Sequence, residues 1–482
     1  MGTNIKKNFF YNLILTLSGY IFPLLTYPYA SRILGVDSIG VCNYIDSIIT
    51  YYILFSTLGI GSYGVRKIAQ CQDNEERNEV FSNLFIFHAT TTIIALIILF
   101  FSVYTFEELY SYKSFFGIGA IKILFTLFLT NWFFQGICDF KYITKRTILV
   151  NCIYTILIFV FVKKSNDVIS YYALSALTLA LNATINWFYG RKFRKISFKC
   201  FNLRKYLIPI CSFGLYNILT SMYTTFNVVY LGVTSGSREV GYFTTATKLY
   251  VIIMGLFTAF TTVMVPAVSK ILKEESYDRL NQVFIETIEL IIVFSIPIII
   301  FCELNAEEII FLLSGTGYEG AIIPFRIVII LLLIIGFEQI LIQQFLMAKA
   351  SSKDIFIVSF TGAITGILLN LYMTPRLAAV GSAISWGGAE FMVLLVGTLI
   401  LKKTICLSLN MRPILKKCFY SILYIIPWGG LFFEVRGDFI FIISAFFTLF
   451  VFAFINLFID KNKHIVEMWN KVMGSKYYIK SI

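Results

Sequence analysis

Five ionisable side chains fall where water is scarce. Asp46, Lys122, Lys248, Glu338 and Glu390 lie deep inside apolar runs, with Arg326, Glu286 and Glu289 nearer the ends of such runs. A charge at mid-bilayer costs roughly 2.5–3.5 kcal/mol on insertion scales, so each needs a partner helix or a wet cavity. Helix pairing or snorkelling accounts for the end-located charges; Asp46, Lys122, Lys248 and Glu390 point to a water-filled cavity. Lys122 and Lys248, with Arg32 at the outer mouth, form a cationic lining suited to an anionic substrate, because Lys and Arg pair well with phosphate oxygens. Asp46 and Glu390 are candidates for cation or proton coupling, and Glu338 joins them as a further carboxyl within a span.

Neutral polar residues follow helical spacing around these charges. Ser212, Tyr216, Thr220, Tyr223 and Asn227 make one stripe, and Thr244, Lys248, Gly255, Thr258 and Thr262 another. Asn12, Thr16, Gly19, Pro23 and Thr26 share a face, as do Asn43, Asp46 and Thr50, and Lys122, Thr126 and Thr130. A single Ser/Thr stripe is ordinary packing glue between helices. Several together, four of the five with a charge or with glycine and proline, mark a polar pathway to which Asn12, Tyr223, Asn227 and Thr244 belong.

The elements that must carry these residues are transmembrane helices. Of 482 residues, 58% are hydrophobic and 14% charged, and the apolar runs are long enough to cross a hydrocarbon core of roughly 30 Å as helices. We expect an all-α integral membrane protein with about fourteen spans, near 8–30, 41–62, 82–103, 115–137, 146–163, 168–189, 206–233, 241–267, 284–303, 322–347, 355–375, 380–401, 417–433 and 438–459. The N-terminus and even-numbered gaps hold thirty Lys and Arg residues against seven in the opposite gaps, which puts both termini in the cytoplasm. Lys163 and Lys164 run against that bias. The net charge of +13 then reflects loops facing anionic headgroups, with no nucleic-acid partner implied. The nine cysteines contain no CxxC pair and none falls in an external gap, so no disulfide framework, metal site or cofactor is indicated. We expect the first apolar run to be retained, and the external gaps are too short to hold a soluble domain.

The chain also resembles itself. Leu34-Gly35-Val36 and then Gly40 in the first half correspond to Leu231-Gly232-Val233 and then Gly241 in the second. This pairs spans 1–2 with spans 7–8 and predicts two pseudo-symmetric six-helix lobes plus two C-terminal helices: residues 1–195, 196–405 and 406–482.

The residues that carry a family likeness are Asn12-Leu13, Pro23-Leu24-Leu25-Thr26, Pro28-Tyr29, Ser31-Arg32, Leu34-Gly35 and Ile39-Gly40. They continue through Leu58-Gly59-Ile60, Tyr63-Gly64 and Arg66-Lys67-Ile68-Ala69 to Asn131-Trp132-Phe133-Phe134-Gln135-Gly136, Tyr142-Ile143-Thr144 and Arg146, with Gly381-Ser382-Ala383-Ile384 downstream. In this order they resemble the Wzx-type O-antigen flippases of the multidrug/oligosaccharidyl-lipid/polysaccharide exporter superfamily. Two positions depart from the pattern: Cys42-Asn43-Tyr44 before the second-span serine, and Arg66-Lys67 where Arg-Glu is common. The resemblance implies translocation of undecaprenyl-pyrophosphate-linked oligosaccharide units across the bacterial inner membrane by alternating access, coupled to H+ or Na+. Membrane lipid, a polysaccharide polymerase and a chain-length regulator are the implied partners.

Two other classes compete. A cation-coupled drug exporter of the same superfamily should have an acidic, aromatic cavity. A membrane-embedded polysaccharide polymerase or ligase generally needs a large external loop or a catalytic histidine within a span. His88 and His464 are the histidines here, and His88, beside three threonines, reads as a hydrogen-bonded structural residue. We therefore expect a transporter and not an enzyme.

Overall fold

The computed structural model describes residues 5–194, 203–273, 277–346, 352–404 and 452. In lipid an apolar segment satisfies its own N–H and C=O groups by coiling into a helix, and all regular structure among the described residues is helical. The first half comprises α1 (Ile5–Thr57), α2 (Ile60–Gln70), α3 (Asn74–Thr105), α4 (Glu107–Tyr110), α5 (Lys113–Leu129), α6 (Asn131–Gly136), α7 (Phe140–Phe161) and α8 (Val168–Gly190). Then come α9 (Leu203–Ser221), α10 (Thr225–Ser235), α11 (Ser237–Lys273), α12 (Tyr277–Leu304), α13 (Ala306–Ser314), α14 (Ile322–Glu338), a π-helical stretch Gln339–Leu346, and α15 (Ser352–Thr404). Eight helical runs among the described residues are long and apolar enough to cross a membrane. This is an all-α integral membrane protein. The spans expected up to residue 401 coincide with described helices, except that residue 347 of the tenth lies outside the described residues, as do those expected at 417–433 and, but for residue 452, at 438–459.

The helices break where the sequence allows or forces it. α1 carries two expected spans as arms of one run, separated at Gly35, whose φ of 75° and ψ of 169° are open essentially to glycine alone. α15 does the same at Ala378, held at φ 49° and ψ −124°. There the Ala379 N–H donates to a Glu239 carboxylate oxygen at 3.1 Å. Two further breaks were not expected: Leu58, φ 42°, interrupts the 41–62 span, and Thr130, φ 35°, interrupts 115–137.

α1 packs chiefly along α11, α5 against α8, and α15 against α14 and α10. One apolar core joins Ile45, Ile49 and Ile123 to Leu231, Val328, Leu332 and Ala389, so it spans both halves of the chain. A second, aromatic core holds Phe81, Trp132, Phe133, Phe134 and Tyr206. Ile93, Phe100, Phe101, Ile156 and Leu368 point outward, as suits a hydrocarbon solvent. Lys163 and Lys164 form a turn around Asp167, whose Oδ2 accepts their N–H groups at 2.9 and 2.8 Å. The Lys163 bond, then the Lys164 bond, holds the Asp167 carboxyl below its ordinary range.

Candidate functional site

The polar faces read from the sequence meet where α1 crosses α11. Helical spacing puts Asn43 and Asp46 on one face of α1, and Thr244 and Lys248 on one face of α11. Asn43 Nδ2 donates to Thr244 Oγ1 at 3.0 Å, a direct bond between the two halves of the chain. The Thr244 hydroxyl in turn donates to the Val240 carbonyl at 2.8 Å. One turn further along each helix stand Asp46 and Lys248, within electrostatic reach of each other.

Lys122, from α5, is buried and donates to Asp46 Oδ1 at 2.5 Å. The Tyr172 hydroxyl of α8 donates to the same oxygen at 3.3 Å, and the Tyr172 ring lies 4.2 Å from the Lys122 ammonium. Lys122 is thus neutralised by Asp46, the residue expected to handle a coupling ion, and does not stand alone in a lining. Lys248 differs. Its ammonium sits 5.4 Å from the Tyr27 ring centre and lines a groove of about 130 Å³ between α1 and α11, with Gly19, Tyr20 and Pro23. Ion pairs among the described residues are Lys67–Glu76, Lys122–Asp46 and Arg238–Asp37, so no carboxylate there claims Lys248. Tyr27 is fixed by a 2.5 Å hydroxyl–hydroxyl contact with Thr245.

At each end of this region the two halves of the chain meet at glycine backbone. At one end a Cβ placed on Gly40 would collide with the Ser237 carbonyl and lie 3.0 Å from Gly241 N, and one on Gly241 would strike Val36. The two glycines matched by the internal repeat therefore touch. Arg32 is exposed at this end and donates to the Leu312 carbonyl at 2.7 Å. At the other end a Cβ on Gly59 would lie 2.5 Å from Phe213 Cβ and 2.7 Å from Gly214 N.

The remaining predicted residues fall into separate groups. Glu338 and Glu390 face each other, surrounded by Tyr216, Tyr223 and Tyr250. Trp386 Nε1 donates to Glu390 Oε1 at 2.8 Å, while Glu338 Oε2 is buried with no hydrogen-bond partner. Asn227 donates to the Tyr223 carbonyl at 2.8 Å and accepts from Asn370 Nδ2; Asn370 Oδ1 accepts from Thr374 at 2.6 Å. Asn12 lies near the start of α1, beside α7, where its carbonyl accepts from Thr16 at 2.9 Å.

Sequence reasoning missed two arginines. Arg146 and Arg194 read as loop anchors beside the cytoplasm, yet both are buried. Arg146 Nη1 donates to Asn131 Oδ1, and Arg194 Nη1 to Thr130 Oγ1, each at 3.1 Å. Arg194 also lies 4.2 Å from the Phe81 ring and 4.7 Å from that of Trp187. Together with Asn186, which donates to Asn131 Oδ1 at 3.0 Å and to the Leu129 carbonyl, they hold the break at Thr130. The signal was present in the Asn131–Gly136 motif and the Arg146 that follows it.

The chain resembles known proteins in sequence and in fold. The model of the family described as polysaccharide biosynthesis protein matches residues 5–272. A candidate O-antigen transporter of Escherichia coli (strain K12) is 23% identical over 407 residues, covering 82% of this chain and 96% of that protein. The solved structure of the lipid II flippase MurJ in an inward closed conformation superposes with a TM-score of 0.78 at 15% identity, covering 96% of this chain and 99% of that one. An inward-facing multidrug resistance MATE family transporter of the MOP superfamily gives a TM-score of 0.62 at 17% identity, over 82% of this chain and 98% of its own. At these identities the structures share the fold.

Proposed function

This chain belongs to the polysaccharide biosynthesis protein family, and from that premise we propose that it is a flippase for polyprenyl-pyrophosphate-linked oligosaccharides in the bacterial inner membrane. The observation that carries the reading is Lys248: a cation in a groove between α1 and α11, with no carboxylate paired to it among the described residues. Once Asp46 has neutralised Lys122, the Asn43–Thr244 junction keeps one net positive charge for an anionic headgroup. An ammonium is a compact point charge that suits phosphate oxygens. The apolar sides of the same groove, Leu24, Val251 and Ile252, suit the lipid tail of the carrier.

The cycle is alternating access between two lobes, residues 1–195 and 196–405. Gly40–Gly241 is the closure toward the outside and Gly59–Gly214 the closure toward the cytoplasm, with both termini cytoplasmic. The Glu338–Glu390 pair serves coupling. Two carboxyl groups facing each other in apolar surroundings accommodate one proton or one cation between them, and binding there biases the packing of α14 against α15. The E. coli relative named for O-antigen transport and the flippase fold support this reading.

The test is translocation of a labelled polyprenyl-pyrophosphate oligosaccharide by purified protein in liposomes. Wild type should move it, and Lys248→Ala should slow it about ten- to a hundredfold, the range for losing a hydrogen bond to a charged group. Undiminished translocation by Lys248→Ala, or none by wild type, overturns the proposal.

A further inference from the structure

At the end of the molecule away from the Gly40–Gly241 contact lies a cavity of about 520 Å³, within the roughly 300–1,000 Å³ range of ligand pockets. Leu58 and Thr130, the two unexpected left-handed breaks, both line it. Such backbone in a non-glycine residue is strained, and irregular backbone at membrane depth persists where it borders a wet cavity. Each break is braced from outside its own helix. Asn217 Nδ2 donates to the Leu58 carbonyl at 3.3 Å, and Arg194 reaches Thr130 as described above.

His88 is 4% exposed and lines this cavity, and its Nε2 has no hydrogen-bond partner. The sequence reads His88 as a hydrogen-bonded structural residue, and its Nε2 is the atom left without such a bond. Gln135 lines the same space, and its side-chain amide makes no hydrogen bond with any described residue. Asn131 and Asn217 add further amide groups. Trp132 also borders the cavity, but Phe81 stacks on it at 5.6 Å and Gly64 closes on its ring. It seats α6 and leaves recognition to the polar groups.

The chemistry of the lining excludes most ligands. Among the described residues no Lys, Arg, Asp or Glu borders the cavity; Arg146 and Arg194 act from behind, through Asn131 and Thr130. A pyrophosphate would meet no cation, and a metal ion no carboxylate. A lipid chain would leave the amides and His88 without partners, at a desolvation penalty for each. The ligand that fits is neutral and dense in groups that both donate and accept, which describes sugar hydroxyls. Building on the lipid-linked glycan reading, we propose that this cavity is a subsite for the sugar residues of the glycan, with His88 and Gln135 hydrogen-bonding to hydroxyl groups. It lies apart from the Lys248 groove, so headgroup charge and glycan are recognised in different places.

Two lipids of different glycan length separate the sites. His88→Ala and Gln135→Ala should each slow translocation of a lipid carrying a full oligosaccharide about three- to tenfold, and leave a pyrophosphate lipid carrying one sugar unchanged. Lys248→Ala should slow both. His88→Gln, which keeps a polar side chain, should restore part of the loss and shows that the effect is not misfolding. Binding of free, pyrophosphate-less glycans of one to five sugars to the purified protein gives an independent readout. Affinity that rises with length in wild type and falls in His88→Ala supports the subsite even if the protein moves no lipid. No glycan binding, or equal effects of His88→Ala on both lipids, means that the cavity holds water only and overturns the proposal.

Discussion

Asp46→Asn and Lys122→Met remove opposite ends of the same 2.5 Å ion pair, yet their effects on stability should differ severalfold. The Lys122 side chain is 8% exposed and that of Asp46 is 49% exposed. Removing Asp46 strands an ammonium in the interior. The Tyr172 ring at 4.2 Å is already in place in the wild type and offsets nothing new. An uncompensated buried charge of this kind destabilises by about 3–5 kcal/mol. Removing Lys122 instead leaves a half-exposed carboxylate that water solvates and that still accepts from the Tyr172 hydroxyl. Its loss should resemble that of an exposed pair, up to about 1 kcal/mol, with Met filling the space of the lysine stem. The expected gap is therefore about 2–4 kcal/mol. The double variant strands no charge and should fall near Lys122→Met, giving a coupling energy of similar size in a double-mutant cycle. Unfolding in mixed micelles of rising SDS content, followed by tryptophan fluorescence, measures all four proteins. If Lys122→Met is as damaging as Asp46→Asn, or the double variant is no better than Asp46→Asn, then burial does not set the asymmetry and the argument fails.

Further outcomes are expected elsewhere. Gly241→Ala should push Val36 away and hold the Gly40 end open, so a cysteine introduced at Ser237 should react faster with an impermeant thiol reagent than in the Gly241 parent; equal rates would show that the contact is not a closure. Glu390→Gln and Glu338→Gln should abolish acceleration of transport by an imposed proton or sodium gradient, while gradient-free exchange persists; retained acceleration in both would move coupling elsewhere. Asp167 is a carboxyl held below its ordinary range by the N–H groups of Lys163 and Lys164. Its contribution to the turn is present above the ordinary carboxylate range and lost as pH falls through the lowered value. Amide exchange at Lys163 and Lys164 should thus be slower in wild type than in Asp167→Ala at neutral pH, and the difference should vanish in strong acid.

Much of the fold was legible because hydropathy is a local property. Twenty-residue apolar runs specify helices without reference to anything distant. The polar stripes on α1 and α11 were likewise visible, since spacing alone puts Asn43 with Asp46 and Thr244 with Lys248. Pairing was not. Asp46 and Lys122 stand 76 positions apart, and nothing local to either says that they neutralise each other. Arg146 and Arg194 were hidden for a related reason: a basic residue between two apolar runs reads as a loop anchor, and burial among Phe81, Trp187 and Asn131 is decided by tertiary packing. The breaks at Leu58 and Thr130 escaped because neither residue type advertises left-handed backbone. Gly35 does, and its break falls in a gap between expected spans.

On the proposed cycle, Gly40 against Ser237 and Gly59 against Gly214 are the two closures, and each is main chain meeting main chain. Surfaces of that kind carry no chemical information, so the doors cannot inspect what passes between them. Selection among cargoes must then be confined to the rooms they enclose. A lineage could redecorate those walls for a new glycan and leave the hinges and latches untouched.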